Sequence, residues 1–189
     1  PATPGTAGGP DVIAGGAGDD LIVGQQGDDR LAGDAGGDTI EGNAGDDTIK
    51  GGVGQDDLIG GGSALDGILV ATDRIWSTET SGLADGNDTI DGGEDADVIL
   101  GDNGWIVRTY VAGAPTTLAD GAIVRDARVT NGTEVTGSYG ADRLLGGGGP
   151  DELHGQRDTF RLTAGANSVS ASTIAGDELD GGPGDDVLI

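Results

Sequence analysis

The chain contains no cysteine. Disulfide bridges and thiolate metal sites are therefore excluded, and something else must stabilise the fold. It contains one histidine, His154, so a Ser/His/Asp triad has a single candidate base and is not expected. Only five aromatic residues are present, Trp76, Trp105, Tyr110, Tyr139 and Phe160, which rules out a large aromatic-rich core. Lysine and arginine number 9 against 34 aspartates and glutamates, for a net charge of -25. Such a field argues against nucleic acid and anionic membranes as partners, and makes cations the natural ones. No apolar run approaches transmembrane length and no signal peptide is visible. The chain begins at Pro1 rather than Met, as expected of a processed product or a fragment.

What is abundant is glycine, 41 of 189 residues, about three times ordinary usage. Together with the charge, this composition leans towards disorder in plain water. The order of the residues says otherwise. A period of nine runs through the chain, in units beginning at Thr6, Gly15, Gly24, Gly33, Gly42, Gly51, Gly60, Gly92, Gly101, Gly146, Gly155 and Gly181. Position six is Asp in all twelve: Asp11, Asp20, Asp29, Asp38, Asp47, Asp56, Asp88, Asp97, Asp142, Asp151, Asp177 and Asp186. Position eight is Ile or Leu in all twelve: Ile13, Ile22, Leu31, Ile40, Ile49, Leu58, Ile90, Ile99, Leu144, Leu153, Leu179 and Leu188. Position four is Gly in ten, the exceptions being Asp95 and Ala175. A disordered acidic linker would have no use for that unbroken aliphatic column.

Positions one to six read as a Gly-rich turn that needs positive φ, and positions seven to nine as a short strand. Alternation sends position eight to one face and positions seven and nine to the other. Alternate units then contribute two facing columns of Ile and Leu, so eighteen residues make one coil. Six coils at the strand spacing give a rod on the order of 30 Å long. Stacking also brings the position-six carboxylates into register on each edge. Flexible turns that offer carboxylate and carbonyl oxygens, without His or Cys, suit Ca²⁺, which takes 6–8 oxygens.

The units "GGAGDDLIV", "GNAGDDTIK" and "GGPGDDVLI" resemble the G-G-x-G-x-D-x-U-x nonapeptide of the RTX (repeats-in-toxin) family, which builds a calcium-dependent β-roll. The resemblance implies an all-β, right-handed parallel β-roll solenoid spanning residues 6–189, with residues 1–5 as a lead-in. It implies that each ion lies between successive turns of one edge. The twelve position-six Asp would hold it with turn carbonyls such as those of Gly15, Ala17, Gly33, Ala35, Gly42, Ala44, Gly51 and Val53. Asp19, Asp28, Asp46 and Asp185, at position five, read instead as field and turn residues. Loss of Gly at Asp95 and Ala175 is expected to weaken the neighbouring sites. Counting adjacent same-edge pairs gives about 6–10 ions, five on the edge of even-numbered units, two regular ones on the other, and up to three more there.

Three insertions of 23, 36 and 17 residues, near 63–85, 105–139 and 158–174, interrupt the seventh, ninth and eleventh units. All three leave from the odd edge, so they are expected to pack as one lateral β-rich lobe and leave the opposite edge clean. "GWIVRTYVAG", "DGILVATDRIW" and "TFRLTAG" read as strands. Asn131-Gly132 and Asp120-Gly121 read as hairpin turns. The insertions hold or adjoin all five aromatics and six of the nine basic residues: Arg74, Arg108, Arg125, Arg128, Arg157 and Arg161. Two roles stay open for the lobe: a satellite core burying Trp76, Trp105 and Phe160, or a recognition face for a glycan, a surface or another copy. Asn87-Asp88-Thr89 and Asn131-Gly132-Thr133 match the short glycosylation pattern, read here as incidental. The outward positions of even-numbered units, including Leu21, Val23, Ile59, Val98, Leu100, Val187 and Ile189 and interrupted by Thr39, Glu41, Glu152 and His154, are unusually apolar for solvent and suggest a lateral contact.

The expected function is a calcium-binding structural module of a secreted bacterial protein, extracellular or on the cell surface, and not an enzyme. The resemblance implies type I secretion and folding on Ca²⁺ outside the cell. Uncapped roll ends would invite end-to-end stacking, as in a large adhesin or extracellular filament. The alternatives are a scaffold presenting a glycan- or partner-binding lobe, and the secretion and folding module of an RTX enzyme.

Overall fold

A computed structural model describes residues 8–62, 86–108, 110–111, 114–119, 121–129, 140–155 and 177–189. The first and third insertions, the Asn131-Gly132 turn, Asp120, Tyr139 and Ala175 lie outside them. Among the described residues the secondary structure is all β, and no helix is long and apolar enough to cross a membrane.

Two six-stranded parallel sheets form the body. One stacks β1 (Val12–Ala17), β3 (Arg30–Ala35), β5 (Thr48–Val53), β7 (Thr89–Glu94), β13 (Arg143–Gly148) and β15 (Glu178–Asp180) in that order. The other stacks β2 (Leu21–Gln26), β4 (Thr39–Ala44), β6 (Asp57–Ile59), β8 (Val98–Leu100), β14 (Glu152–His154) and β16 (Val187–Leu188). Odd units build the first sheet and even units the second, which is the β-roll expected from a nine-residue period. Register follows the repeat: Ile13 pairs with Leu31, Leu31 with Ile49, Ile49 with Ile90, and Ile90 with Leu144. The 23- and 36-residue insertions therefore shift no strand by a single residue.

Nine position-eight side chains, Ile22, Leu31, Ile40, Ile49, Leu58, Ile90, Ile99, Leu144 and Leu153, form the buried core between the sheets, with Ile13, Leu179 and Leu188 half-buried at the ends. Each buried Ile or Leu contributes about 1.5–3 kcal/mol. The core is one side chain thick, so the turns must hold the coils together as well.

The turns use left-handed backbone at positions two and four. Position two includes Gln25 (φ 83), Asp34 (φ 75) and Asn43 (φ 77), non-glycine residues in a region that disfavours a Cβ. Asp95, at position four, takes φ 81. The turn keeps its left-handed backbone there without glycine, since Asp enters this region more readily than most non-glycine residues.

The second insertion contributes β9 (Gly104–Arg108), β10 (Tyr110–Val111), β11 (Ala114–Pro115) and β12 (Arg125–Val129). β12 pairs antiparallel with β9, and β10 with β11. Beside Asp120, Gly121 takes φ 98 and donates to the Leu118 carbonyl, while Leu118 N–H donates to the Ala122 carbonyl. The β9–β12 pair does not stand off from the odd edge. It folds over the outer face of the even sheet, where Ile106 and Ala127 pack on Ile59, Val98 and Leu100. That apolar face is thus covered in its middle by the chain itself, and Trp105 is half-buried.

Candidate metal sites

Each position-six Asp closes a turn and enters a strand. From Asp29 and Asp38 onward, its Oδ1 accepts the backbone N–H of the position-six Asp one coil earlier. On the odd edge Asp11 donates to Asp29, Asp29 to Asp47, Asp47 to Asp88, Asp88 to Asp142 and Asp142 to Asp177, at 2.7–3.0 Å. On the even edge Asp20 donates to Asp38, Asp38 to Asp56, Asp56 to Asp97, Asp97 to Asp151 and Asp151 to Asp186, at 2.7–3.1 Å. All twelve predicted Asp stand in these two ladders. The odd ladder crosses every insertion without a break.

The second carboxylate oxygen has a different fate. Oδ2 of Asp20, Asp29, Asp38, Asp47, Asp56, Asp88, Asp97, Asp142 and Asp151 is buried with no hydrogen-bond partner among the described residues. These oxygens lie over the bare Cα of the position-one glycines. A Cβ on Gly42 would strike Asp47 Oδ2 and the Gly60 carbonyl of the next coil. One on Gly51 would strike Asp56 Oδ2 and the Gly92 carbonyl. The same pair of oxygens, one carboxylate and one carbonyl from the next coil, recurs over Gly24, Gly33, Gly60, Gly92, Gly101 and Gly146. Position one is glycine because these oxygens occupy the space of its side chain.

A buried carboxylate oxygen without a donor is costly. Burial, first of all, pushes Asp88 up to about 9, Asp97 to about 8, Asp47, Asp56 and Asp142 to about 7, and Asp151 to about 6. Neighbouring aspartates of the same ladder add to it, while the Oδ1 hydrogen bond opposes it. Without a cation, burial favours the protonated form of these six carboxyls. Among the described residues no three acidic or imidazole side chains form a metal cage by themselves, so main-chain oxygens must complete any shell. The donor set, carboxylate Oδ2 with turn carbonyls, is hard and all-oxygen, and fits Ca²⁺.

The carbonyls of Gly42 and Gly51 face Oδ2 across the cradles over Gly24 and Gly33. Those of Ala35, Ala44 and Val53 accept N–H bonds from Gly18, Gly27 and Gly36 at 2.7–2.9 Å, which leaves each a second lone pair.

A second ladder was not legible from the repeat. Asp19 Oδ1 accepts from Gly37 N–H at 2.9 Å, Asp28 from Asp46 at 3.1 Å, Asp46 from Asn87 at 2.9 Å, and Asn87 from Ala141 at 2.9 Å. The position-five acids thus satisfy turn N–H groups of the following coil. The only signal for it was the recurrence of short Asx side chains at that position. Asn87 is a rung of this ladder, which accounts for it without glycosylation.

The profile described as RTX calcium-binding nonapeptide repeat (4 copies) matches residues 6–40, 32–64, 84–104, 136–169 and 174–189, more than half of the chain. No curated protein and no solved structure matches it. Repeats of this kind bind Ca²⁺ and are typical of secreted proteins. With its period, its parallel two-sheet roll and its trough of unpartnered carboxylate oxygens, the chain belongs to the RTX calcium-binding nonapeptide repeat family.

Proposed function

We propose that the chain is a calcium-folded structural module that works outside the cell as a section of a large adhesin or extracellular filament. The observation that carries the reading is the set of nine buried Oδ2 atoms without a donor. Proton-free, they oppose stacking of the coils. With Ca²⁺ between turns the same oxygens hold the coils together, so binding energy becomes folding energy. The twelve position-six Asp are the proposed ligands, with carbonyls that include those of position one, and about 6–10 ions in all.

The role is mechanical and not catalytic. The single histidine is buried and pairs through Nε2 with Glu152 Oε1 at 2.7 Å, a geometry for packing rather than for activating a nucleophile. Among the described residues, the terminal strands β1 and β15 of one sheet, and β2 and β16 of the other, each have a strand partner on one side only. That leaves room for further coils or another copy. A second reading, a scaffold that presents the lobe to a ligand, is favoured by exposed Tyr110 and Val111 on the β10–β11 hairpin.

Sedimentation velocity in EDTA and then in millimolar Ca²⁺ tests the proposal. A slow, expanded species that becomes compact supports calcium-driven folding. Large polymers reversed by EDTA support the filament, and a compact monomer shifts weight to the lobe. No change on adding calcium overturns the calcium-folding reading.

A further inference from the structure

Unit six departs from its neighbours at two places. Asp57 stands at an outward strand position where units two and eight carry Leu21 and Val98, and Gln55 precedes the ladder residue Asp56. Both departures face the second insertion.

In the β9–β12 register Arg108 lies directly opposite Arg125, and Ile106 opposite Ala127. Two guanidinium groups side by side repel each other. Asp57 sits between them. Its Oδ2 meets Arg108 Nε at 2.6 Å and its Oδ1 meets Arg125 Nε at 2.5 Å, with all three side chains largely or fully buried. Three further guanidinium nitrogens reach main-chain carbonyls of the even-edge turns. Arg108 Nη2 donates to Gln55 O at 2.9 Å and, at longer range, to Asp38 O at 3.5 Å. Arg125 Nη1 donates to Ala96 O at 3.1 Å and Nη2 to Asp56 O at 3.4 Å. Asp38, Gln55 and Ala96 belong to three successive coils. The Gln55 side chain holds the far end of the hairpin, donating to Gly121 O at 3.1 Å and accepting from Ile123 N–H at 2.7 Å.

We infer that β9 and β12 form a calcium-independent staple, in which Arg108 and Arg125 grip Asp57 and tie the even-edge turns of three successive coils. The staple supplies two fixed positive charges to the middle of an acidic rod, and covers the apolar patch of Ile59, Val98 and Leu100. Calcium couples coils along the turn edges; the staple couples them across the outer face, with no cation beyond its own arginines. The staple therefore opposes the repulsion of the central carboxylates when calcium is withdrawn, and the end coils lose their stacking first. A chain so built has a nucleus ready for the ions.

Hydrogen exchange read by mass spectrometry on the full chain, in EDTA and in millimolar Ca²⁺, tests this. In EDTA, peptides covering β4, β6, β8, β9 and β12 are expected to exchange at least about 10-fold more slowly than those covering β1, β2 and β16. Calcium then slows the end coils. Asp57→Asn is expected to abolish the difference in EDTA while leaving the calcium-loaded pattern in place. Should Asp57→Asn fail to fold even in calcium, the pair Arg108→Gln and Arg125→Gln, which removes the opposed charges, is read in the same way. Uniform exchange of the wild type in EDTA overturns the staple, as does central protection that survives in a variant folding in calcium. Failure of the calcium reading looks different: the end coils would not respond to Ca²⁺ at all.

Discussion

Acid should do part of the work of calcium. Asp88 and Asp97 are each 1% exposed, and burial raises them from 3.8 to about 9 and about 8. In the unfolded chain both are deprotonated at pH 7. Folding the calcium-free roll at that pH must return a proton to each, some three pH units above its ordinary value. At 1.36 kcal/mol per unit this costs roughly 4 kcal/mol per site. Two or three such sites rival the whole stability of an ordinary domain, about 5–15 kcal/mol. The sign follows from proton counts. Between pH 4 and pH 9 the folded, calcium-free form holds more protons than the unfolded one, so its stability falls as pH rises through that window. Stability is greatest below the unfolded value and is lost progressively up to about 9. Urea titration followed by far-UV circular dichroism in EDTA, at pH 5 and at pH 8.5, measures it. The midpoint should be higher at pH 5. In millimolar Ca²⁺ the order should reverse, because protons then compete with the ion for the same oxygens. An EDTA midpoint that rises with pH would refute the reasoning, since the ladder oxygens would then be charged and satisfied without any cation.

Three substitutions probe the same geometry. Asp56→Asn keeps the Oδ1 acceptor for Asp38 N–H and deletes a charge whose burial raises its pKa to about 7. It should make the roll more stable in EDTA at pH 8, by urea titration, and weaken calcium binding about 10-fold, by calorimetry, near 1.4 kcal/mol. Gly51→Ala places a Cβ against Asp56 Oδ2 and the Gly92 carbonyl, and should cost about 1–3 kcal/mol in calcium while shifting the calcium-folding midpoint upward. Gln25→Gly removes a Cβ from a residue at φ 83 and should raise thermal stability in calcium by about 1 kcal/mol; a loss there would mean that the Gln25 side chain contributes more than its backbone strain.

The roll was legible because its interactions repeat. A period of nine, with an aliphatic at position eight, assigns Ile13, Leu31 and Ile49 to one sheet and Ile22, Ile40 and Leu58 to the other, which is where they lie. The same period puts Asp47 above Asp29 and Asp56 above Asp38, since each coil meets only its neighbours. The position-five ladder was harder to see. Asp28 and Asp46 serve as hydrogen-bond acceptors whose donors lie one coil away, and the repeat pattern does not distinguish an acceptor from a solvated charge.

The sequence alone determined the two sheets, the thin aliphatic core, the two columns of carboxylates and hence the need for a hard dication. These follow from local spacing multiplied by stacking. Only the tertiary structure decided what covers the even face. Asp57 and Gln55 look like ordinary variants of a repeat, and Arg108 and Arg125 like scattered charges in an insertion. Their meeting depends on β12 turning back onto β9 and lying across three coils, a long-range fit among unlike residues that leaves no period in the chain.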